Sequence, residues 1–441
     1  MKVLYLADNS DLPNWGCRAT SMSLRQLIAG AGHEIVGTVT GHMIESMYPT
    51  SEIIGDAAWA KVSRTFNRDR VRRLPLAAPV LDSLGKRNAL THDLAANIET
   101  LKRARAWDPA TRRLFEALEA CEAVVVNGEG DLIFATPARA RLLYTLAVCE
   151  LALSMGKGLY YLNAMASECP TSGINAETLA VAAGVLGRAN AFTVRDPASL
   201  AFVKANMPGV AATMFPDAVF SWSKLLSPPD GPVRYDRGLV APYFERTGQA
   251  MPAVLDQPYA VLGGGSRAAR HWPTAVTAYL GLVEAMKSLG LPLILAPGCG
   301  GDLFLEEVSR RTGVPMLPLE TPIFAVGATL ANARVMVSGR WHPSILASLG
   351  GTPCVFMGSN SHKTLTIQTM LGNADPREFN PCPSVDEARV IAARARGLVE
   401  AGDAERARII AVTRKLSAET RKVAGVIGAP PTKPRRRIAA G

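Results

Sequence analysis

Short runs of apolar and β-branched residues alternate with longer stretches whose apolar positions recur at helical spacing. In the first half these runs are VLYLA (3–7), EIVGTV (34–39), AVVVN (123–127), LYYLN (159–163) and AFTV (191–194). In the second half they are YAVLGG (259–264), LPLILA (291–296), ARVMVSG (333–339) and TPCVFM (352–357), each followed by a helical pattern. Strand–helix alternation of this kind predicts βα units built on parallel sheets, so the fold class is α/β.

The rhythm is interrupted twice. Residues from about 44 to 118 are polar, arginine-rich and helical in character, and read as an insertion on the first domain. The turn-rich stretch SPPDGPVRYDRG (227–238) then separates the two series and is the expected linker. The predicted organisation is a first Rossmann-like domain over 1–226, a linker over 227–238 and a second Rossmann-like domain over 239–384. Helices over 385–428 are expected to cross back onto the first domain, and 429–441 reads as a disordered basic tail. A chain of 441 residues with 48% hydrophobic content is too long for one ordinary domain, which agrees with this division.

Composition removes several classes of function. The amino terminus MKVLYLADNS lacks the basic start and long apolar core of a secretory signal, so a cytoplasmic protein is expected. Glu150, Lys157 and two glycines interrupt the most apolar long stretch, Leu142 to Leu162, and no transmembrane segment is predicted. The seven cysteines form no CxxC pair and are odd in number, so neither a disulfide framework nor a zinc site is indicated. His33, His42, His92 and His362 show no metal-ligand spacing, and no metal is implied. VLGGGSRAARHW (261–272) lacks the GxGxxG spacing of a dinucleotide loop.

Net charge is +10, which favours anionic ligands. Part of the excess is local: Lys61, Arg64, Arg68, Arg70, Arg72 and Arg73 meet one acid, Asp69, and precede Leu74, Leu76 and Val80. This cluster suits either a solvated helix face or a peripheral contact with an anionic membrane, the inner membrane in this setting. No nucleic-acid partner is expected, and the oligomeric state is not legible.

The sharpest chemistry lies in VMVSGRWHPSILASLGGTP (335–353). An apolar strand ends at Ser338-Gly339 and a helix begins with Pro343 in its first turn, which puts Arg340 and His342 on the strand-to-helix turn. Ligands of open α/β sheets bind beyond the carboxyl ends of strands, and a helix amino terminus attracts anions. An arginine there adds a carboxylate or phosphate grip, and a histidine beside it is a candidate proton donor. The alternative reading is structural: His342 caps the helix and Arg340 pairs with an acid.

This segment resembles the GRxH strand–turn–helix of polysaccharide pyruvyl transferases, including the small residues Ala347, Gly350 and Pro353 that follow. The resemblance continues upstream, in the family's order, through NWGCRAT (14–20), NGEGDLIF (127–134), TVRDPASL (193–200) and FPDAVF (215–220). It implies two facing Rossmann-like domains with an interdomain cleft, similar to GT-B glycosyltransferases. It also implies the transfer of pyruvate from phosphoenolpyruvate to a saccharide as a ketal, in the making of a surface polysaccharide or exopolysaccharide or its lipid-linked precursor. Phosphoenolpyruvate is then a substrate, and no cofactor is called for.

The resemblance assigns His342 as the proton donor and Arg340 as a bidentate grip on the donor carboxylate. Arg195, at the end of its strand, and Lys363, in NSHKTL, are placed facing the donor phosphate. Gly128 and Gly130 follow a strand and permit a close backbone turn. The family usually shows glycine where this chain has Glu129, a departure that favours Glu129 or Asp131 binding sugar hydroxyls or acting as general base; a tight turn with solvated acids is the alternative. Asn14, after the first strand, is a second candidate for sugar binding. Cys17 stands where the family has an acid and reads as a buried thiol, while Asp196 reads as a helix cap. Two other functions fit the same expected fold: a nucleotide-sugar glycosyltransferase of GT-B type, and a non-catalytic polysaccharide-assembly protein.

Overall fold

A computed structural model describes residues 1–41, 43, 90–106, 108–136, 138–227, 238, 240–246, 248, 252–270 and 272–428. The basic cluster from Lys61 to Arg73, residues 228–237 of the expected linker and the tail 429–441 lie outside the described residues.

Two units divide the chain. Unit 1 holds Met1–Asp11 with the described residues of Arg25–Phe215 and of Val423–Gly441; unit 2 holds Leu12–Leu24 with those of Pro216–Lys422. Residues 12–24 and 216–226, expected on the first domain, therefore group with the second, and the chain rejoins unit 1 only from Val423.

Unit 1 is built on β1 (Lys2–Asp8), β2 (Glu34–Thr40), β3 (Ala123–Asn127), β5 (Gly158–Ala164), β7 (Ala191–Val194) and β8 (Thr213–Met214). They form one six-stranded sheet in the order β2-β1-β3-β5-β7-β8, parallel at every pairing. Two further short strands, β4 (Leu132–Phe134) and β6 (Ala166–Glu168), pair in parallel outside that sheet. Every residue of β3 is buried, which is why AVVVN carries no polar alternation. Each fully buried valine or leucine contributes about 1.5–3 kcal/mol.

Helix α1 (Trp15–Gly30) begins in unit 2 and ends in unit 1. The carboxyl end of the expected insertion supplies two covering helices of unit 1, α2 (Leu94–Ala104) and α3 (Pro109–Ala120). Asp93 and Asp108 cap them by accepting backbone N–H groups, and Pro109 opens the second, a position where its missing N–H costs nothing. Helix α4 (Ala140–Ser154) is buried around most of its circumference, which explains the apolar run from Leu142 without a membrane. Helices α5 (Ala176–Leu186) and α6 (Pro197–Asn206) start at capping residues Asn175 and Asp196.

Unit 2 carries β9 (Ala260–Gly265), β10 (Leu293–Ala296), β11 (Val335–Gly339) and β12 (Cys354–Phe356) as a parallel sheet in the order β10-β9-β11-β12. Its helices are α7 (Trp272–Met286), α8 (Phe304–Thr312), α9 (Ile323–Asn332), α10 (Trp341–Leu349), α11 (Lys363–Met370), α12 (Val385–Glu400) and α13 (Gly402–Thr420). All nine residues of α10 are buried, so this helix runs through the core. No helix among the described residues is long and apolar enough to cross a membrane.

Both sheet orders reverse direction once. The reversal falls between β1 and β3 in unit 1 and between β9 and β11 in unit 2. The carboxyl ends of strands at such a switch point are the place where an open α/β sheet leaves room for a ligand.

Candidate functional site

In unit 2 the switch point is occupied by the GRWH turn. Strand β11 ends at Gly339, Arg340 is the extended N-cap of α10, and His342 is the second residue of that helix. His342 is therefore not the cap. The residue is 7% exposed, and Nε2 lies 2.7 Å from Thr20 Oγ1 and 3.2 Å from Asp217 Oδ2. Asp217 is fully buried. Its Oδ2 also accepts from Trp341 Nε1 at 3.1 Å, while Oδ1 accepts from Val219 N–H at 3.0 Å and starts the short helical turn Ala218–Trp222.

The first turn of α1 closes the other side of this histidine. Trp15 N–H donates to Gly298 O at 2.9 Å, Trp15 Nε1 donates to Leu319 O at 2.8 Å, and Arg18 donates to Leu319 O and Thr321 O. The helix is thereby fastened with Gly16 against the imidazole. A Cβ at residue 16 would stand 2.2 Å from His342 Nδ1, so only glycine leaves the ring its place.

Arg340 does not present an open fork. Its Nε and Nη2 donate to Asp302 Oδ2 and Oδ1 at 2.9 and 2.6 Å, and Asp302, fully buried, also accepts from Gly298 N–H at 2.9 Å. The bidentate grip expected for a donor carboxylate is thus made to Asp302, and the edge left for a ligand is Nη1. The acid is brought close because β9 ends in glycines: a Cβ at Gly264 would lie 2.1 Å from Asp302 Cγ. Burial works against the charge on Arg340, but the Asp302 carboxylate outweighs it and raises the arginine's proton affinity above its ordinary value.

Lys363 opens α11, beyond the edge strand β12 of the same sheet, and is partly exposed. Asn14 caps α1: its Oδ1 accepts from Cys17 N–H at 3.1 Å and its backbone bridges Cys299. Cys17 is buried, as its size and thiol suggest.

The switch point of unit 1 holds a second polar cluster. Asn9 follows β1 and donates to Glu129 Oε2 at 2.5 Å; Arg141, on α4, donates to Asp131 Oδ2 at 3.0 Å and to Asn9 Oδ1. Arg139 donates to Gly130 O at 3.1 Å. A Cβ on Gly128 would lie 2.5 Å from Tyr161 Cε1, so the turn after β3 is built tight against its neighbours.

Glu129 has φ +34°, in the region that favours glycine. A glycine at this position would adopt the same conformation without strain. Ala7 and Asn163, near the carboxyl ends of β1 and β5, the strands on either side of β3, also have positive φ. Burial pushes the Asp131 carboxyl above the ordinary aspartate range; the charge of Glu129 adds to the effect and Arg141 opposes it.

Arg195 directly follows β7 and is 1% exposed, its backbone N–H donating to Ala164 O, and Asp196 turns at once to cap α6. Asp196 Oδ1 accepts from Ser199 N–H at 2.8 Å. Among the described residues no group of three or more His, Cys, Asp or Glu is arranged to hold a metal.

Asp217, Thr20, Trp341, Asp302, Gly16, Asn9 and Arg141 carry much of this geometry and were not identified as site residues from the chain alone. Asp217 stood inside the quoted FPDAVF segment, and Asn9 at the end of the first strand; Asp302, within PGCGGD, gives no comparable local signal.

The UDP-GlcNAc 2-epimerase from Neisseria meningitidis bound to UDP-GlcNAc is similar with a TM-score of 0.52 and 10% identity, over 97% of this chain and 99% of that one. S. aureus MnaA, in a co-structure with UDP, is similar with a TM-score of 0.50 and 9% identity, over 98% and 100%. At such identity the likeness is one of fold: two Rossmann-like units in one chain, the class called GT-B. No curated protein matches the sequence significantly. The sequence family described as polysaccharide pyruvyl transferase matches residues 14–361, a span that contains Thr20, Glu129, Asp131, Asp217, Asp302, Arg340 and His342. Because that match runs through both units and takes in the two switch-point clusters apart from Asn9, the chain belongs to the polysaccharide pyruvyl transferase family.

Proposed function

We propose that this chain transfers the pyruvyl group of phosphoenolpyruvate to two hydroxyls of a saccharide, free or lipid-linked, forming a ketal. The observation that carries the reading is the histidine on the GRWH turn, buried against the carboxylate of Asp217 at the switch point of unit 2. A histidine paired in this way is equipped to hold and deliver a proton.

The reaction requires a proton on the methylene carbon of the donor while a sugar oxygen attacks the adjacent carbon. Phosphate then leaves and the second hydroxyl closes the ring. Of the two hydroxyl protons released, one replaces the proton taken from the acid and the other departs with phosphate. His342 supplies the proton in this reading. Arg340 contributes charge and its Nη1 edge to the donor's anionic groups, and Lys363 adds a second cation that offsets the charge growing on departing phosphate. Glu129 and Asp131 bind saccharide hydroxyls, with Asn9 and Arg141 holding their geometry.

The test is a two-armed turnover assay. Phosphate release from phosphoenolpyruvate is measured against a panel of free and lipid-linked saccharides, and release of nucleoside diphosphate is measured from nucleotide sugars with the same panel. Saccharide-dependent phosphate release is the expected result. Turnover of a nucleotide sugar with phosphoenolpyruvate inert would overturn the reading.

A further inference from the structure

We propose that unit 2 carries a second ligand site, a cavity at the outer edge of β12 that takes a nucleoside monophosphate. The strand edge reads the base, and two arginines at the mouth hold the phosphate. None of the lining residues belongs to the GRWH turn, and the site stands independently of the proposed reaction.

The strand edge comes first. The chain through β12 bonds to β11 at alternate residues: Pro353 O accepts from Met336 N–H, and Met357 N–H donates to Ser338 O, each at 3.0 Å. The alternate residues of a parallel ladder turn their backbone groups the other way, so Cys354 and Phe356 present N–H and C=O at the outer edge of the sheet. Phe379 takes one of these groups, donating to Phe356 O at 2.9 Å. Continued pairing would run through Arg377. Instead Gln368, 3% exposed on α11, donates to Arg377 O and accepts from Arg377 N–H, both at 3.0 Å. The segment is thereby drawn off the strand, and Cys354 C=O and Phe356 N–H have no partner among the described residues.

The space this leaves is a cavity of about 280 Å³, close to the lower end of the range usual for small-molecule sites, with Cys354, Val355 and Phe356 along one side. Leu371, Phe379, Leu398 and Ile409 make much of the remaining lining apolar. A carbonyl and an N–H two residues apart on an extended edge match a flat ring that carries a hydrogen-bond donor beside an acceptor. Every common nucleobase has such an edge, and its faces suit apolar walls.

The mouth is basic. Arg394, on α12, is exposed and has no ion-pair partner among the described residues. Arg377 lies with its guanidinium carbon 5.3 Å from the centre of the Phe379 ring. Its contact with Asp375 is 3.6 Å between side chains 49% and 65% exposed, a pair that holds it weakly. The third arginine, Arg408, is committed: it donates to both oxygens of Glu405 at 2.7 Å and to Leu371 O at 2.8 Å, and so shapes the lining. Two available guanidinium forks beside an apolar slot select a flat molecule with an anionic end, and phosphate is the anion such forks fit well. The small volume admits the base and leaves the phosphate at the mouth.

The experiment is calorimetric titration of the full chain with AMP, CMP, GMP and UMP, and with ribose 5-phosphate and inorganic phosphate as ligands that lack a base. At least one nucleotide is expected to bind with a Kd below about 1 mM and about tenfold or more tightly than ribose 5-phosphate. Changing Arg377→Gln and Arg394→Gln together is expected to weaken that nucleotide by about tenfold or more. Ala374→Trp, at an exposed position of the lining, is expected to fill the cavity and abolish binding.

A panel in which no nucleotide exceeds ribose 5-phosphate would overturn the proposal, whether phosphate alone binds or nothing does. Parental nucleotide affinity in Ala374→Trp, or in the double arginine variant, would place the nucleotide elsewhere on the chain and overturn it too. The arginine variant decides the matter by itself if the tryptophan variant does not fold, since both arginines are exposed.

Discussion

The two switch points occupy the same topological place in the two units and are furnished in opposite ways. At the end of β11 the ionisable groups stand in pairs, Arg340 with Asp302 and His342 with Asp217, and both aspartates are fully buried. At the ends of β1 and β3 Asn9 is buried but Glu129, Asp131 and Arg141 are partly exposed, and Glu129 holds a backbone conformation that few side chains adopt. In the proposed reaction the difference separates two tasks. Delivering a proton to one carbon atom demands a group whose orientation is fixed before the ligand arrives. Holding a polyhydroxylated chain demands several donors and acceptors at an accessible edge.

The comparison can be broken at the proton-delivering side first. His342→Ala is expected to lower turnover by about 10²- to 10⁴-fold. Calorimetry should find phosphoenolpyruvate affinity within about threefold of the parent, since the arginine and lysine remain; parental turnover would leave His342 a packed side chain only.

The next largest effect concerns stability. Arg340→Met leaves Asp302 as a buried charge without its fork and is expected to cost about 3–5 kcal/mol in urea unfolding. The matching change in unit 1, Arg141→Met, should cost clearly less, because Asp131 is 14% exposed where Asp302 is fully buried. Equal losses would remove the contrast between the two clusters. Gly16→Ala comes third: the added methyl meets His342 Nδ1 and is expected to cost about 1–3 kcal/mol and most of the turnover.

A pH series sharpens the unit 1 side. Burial raises the Asp131 pKa above its unfolded value, so the folded state binds the extra proton between the two. The stability linked to this group is present below the unfolded pKa and is lost as pH rises through the folded pKa. Asp131→Asn removes that slope, which thermal melts across the carboxylate range and above it will register; an unchanged slope would place the effect on another group. The smallest effect is expected for Glu129→Gly. Relief of the positive φ offsets the lost bond from Asn9 and the entropy of glycine, and unfolding free energy should change by about 1 kcal/mol or less.

Local features of the chain were legible and distant ones were not. The runs at 3–7, 34–39, 123–127, 159–163, 191–194, 259–264, 291–296, 333–339 and 352–357 overlie β1, β2, β3, β5, β7, β9, β10, β11 and β12. The strands passed over, β4, β6 and β8, have three, three and two residues, too few for a pattern to form. The strand–turn–helix that carries Arg340 and His342 is local and was visible. Their partners were not, because Thr20 and Asp217 lie 322 and 125 positions from His342, and Asp302 lies 38 from Arg340. The grouping of 12–24 with unit 2 was hidden for the same reason: it depends on Trp15 and Arg18 reaching carbonyls near residue 320, contacts that no periodicity encodes.

The most direct test of the central claim is to run the reaction in deuterium oxide and observe the product by NMR. The account predicts one ketal per phosphate released, with a single deuterium in the ketal methyl group for the parent, and neither product nor phosphate above background for His342→Ala. A His342→Ala protein that forms the deuterated ketal at the parental rate would contradict it, as would a parent that turns over a nucleotide sugar and leaves phosphoenolpyruvate untouched.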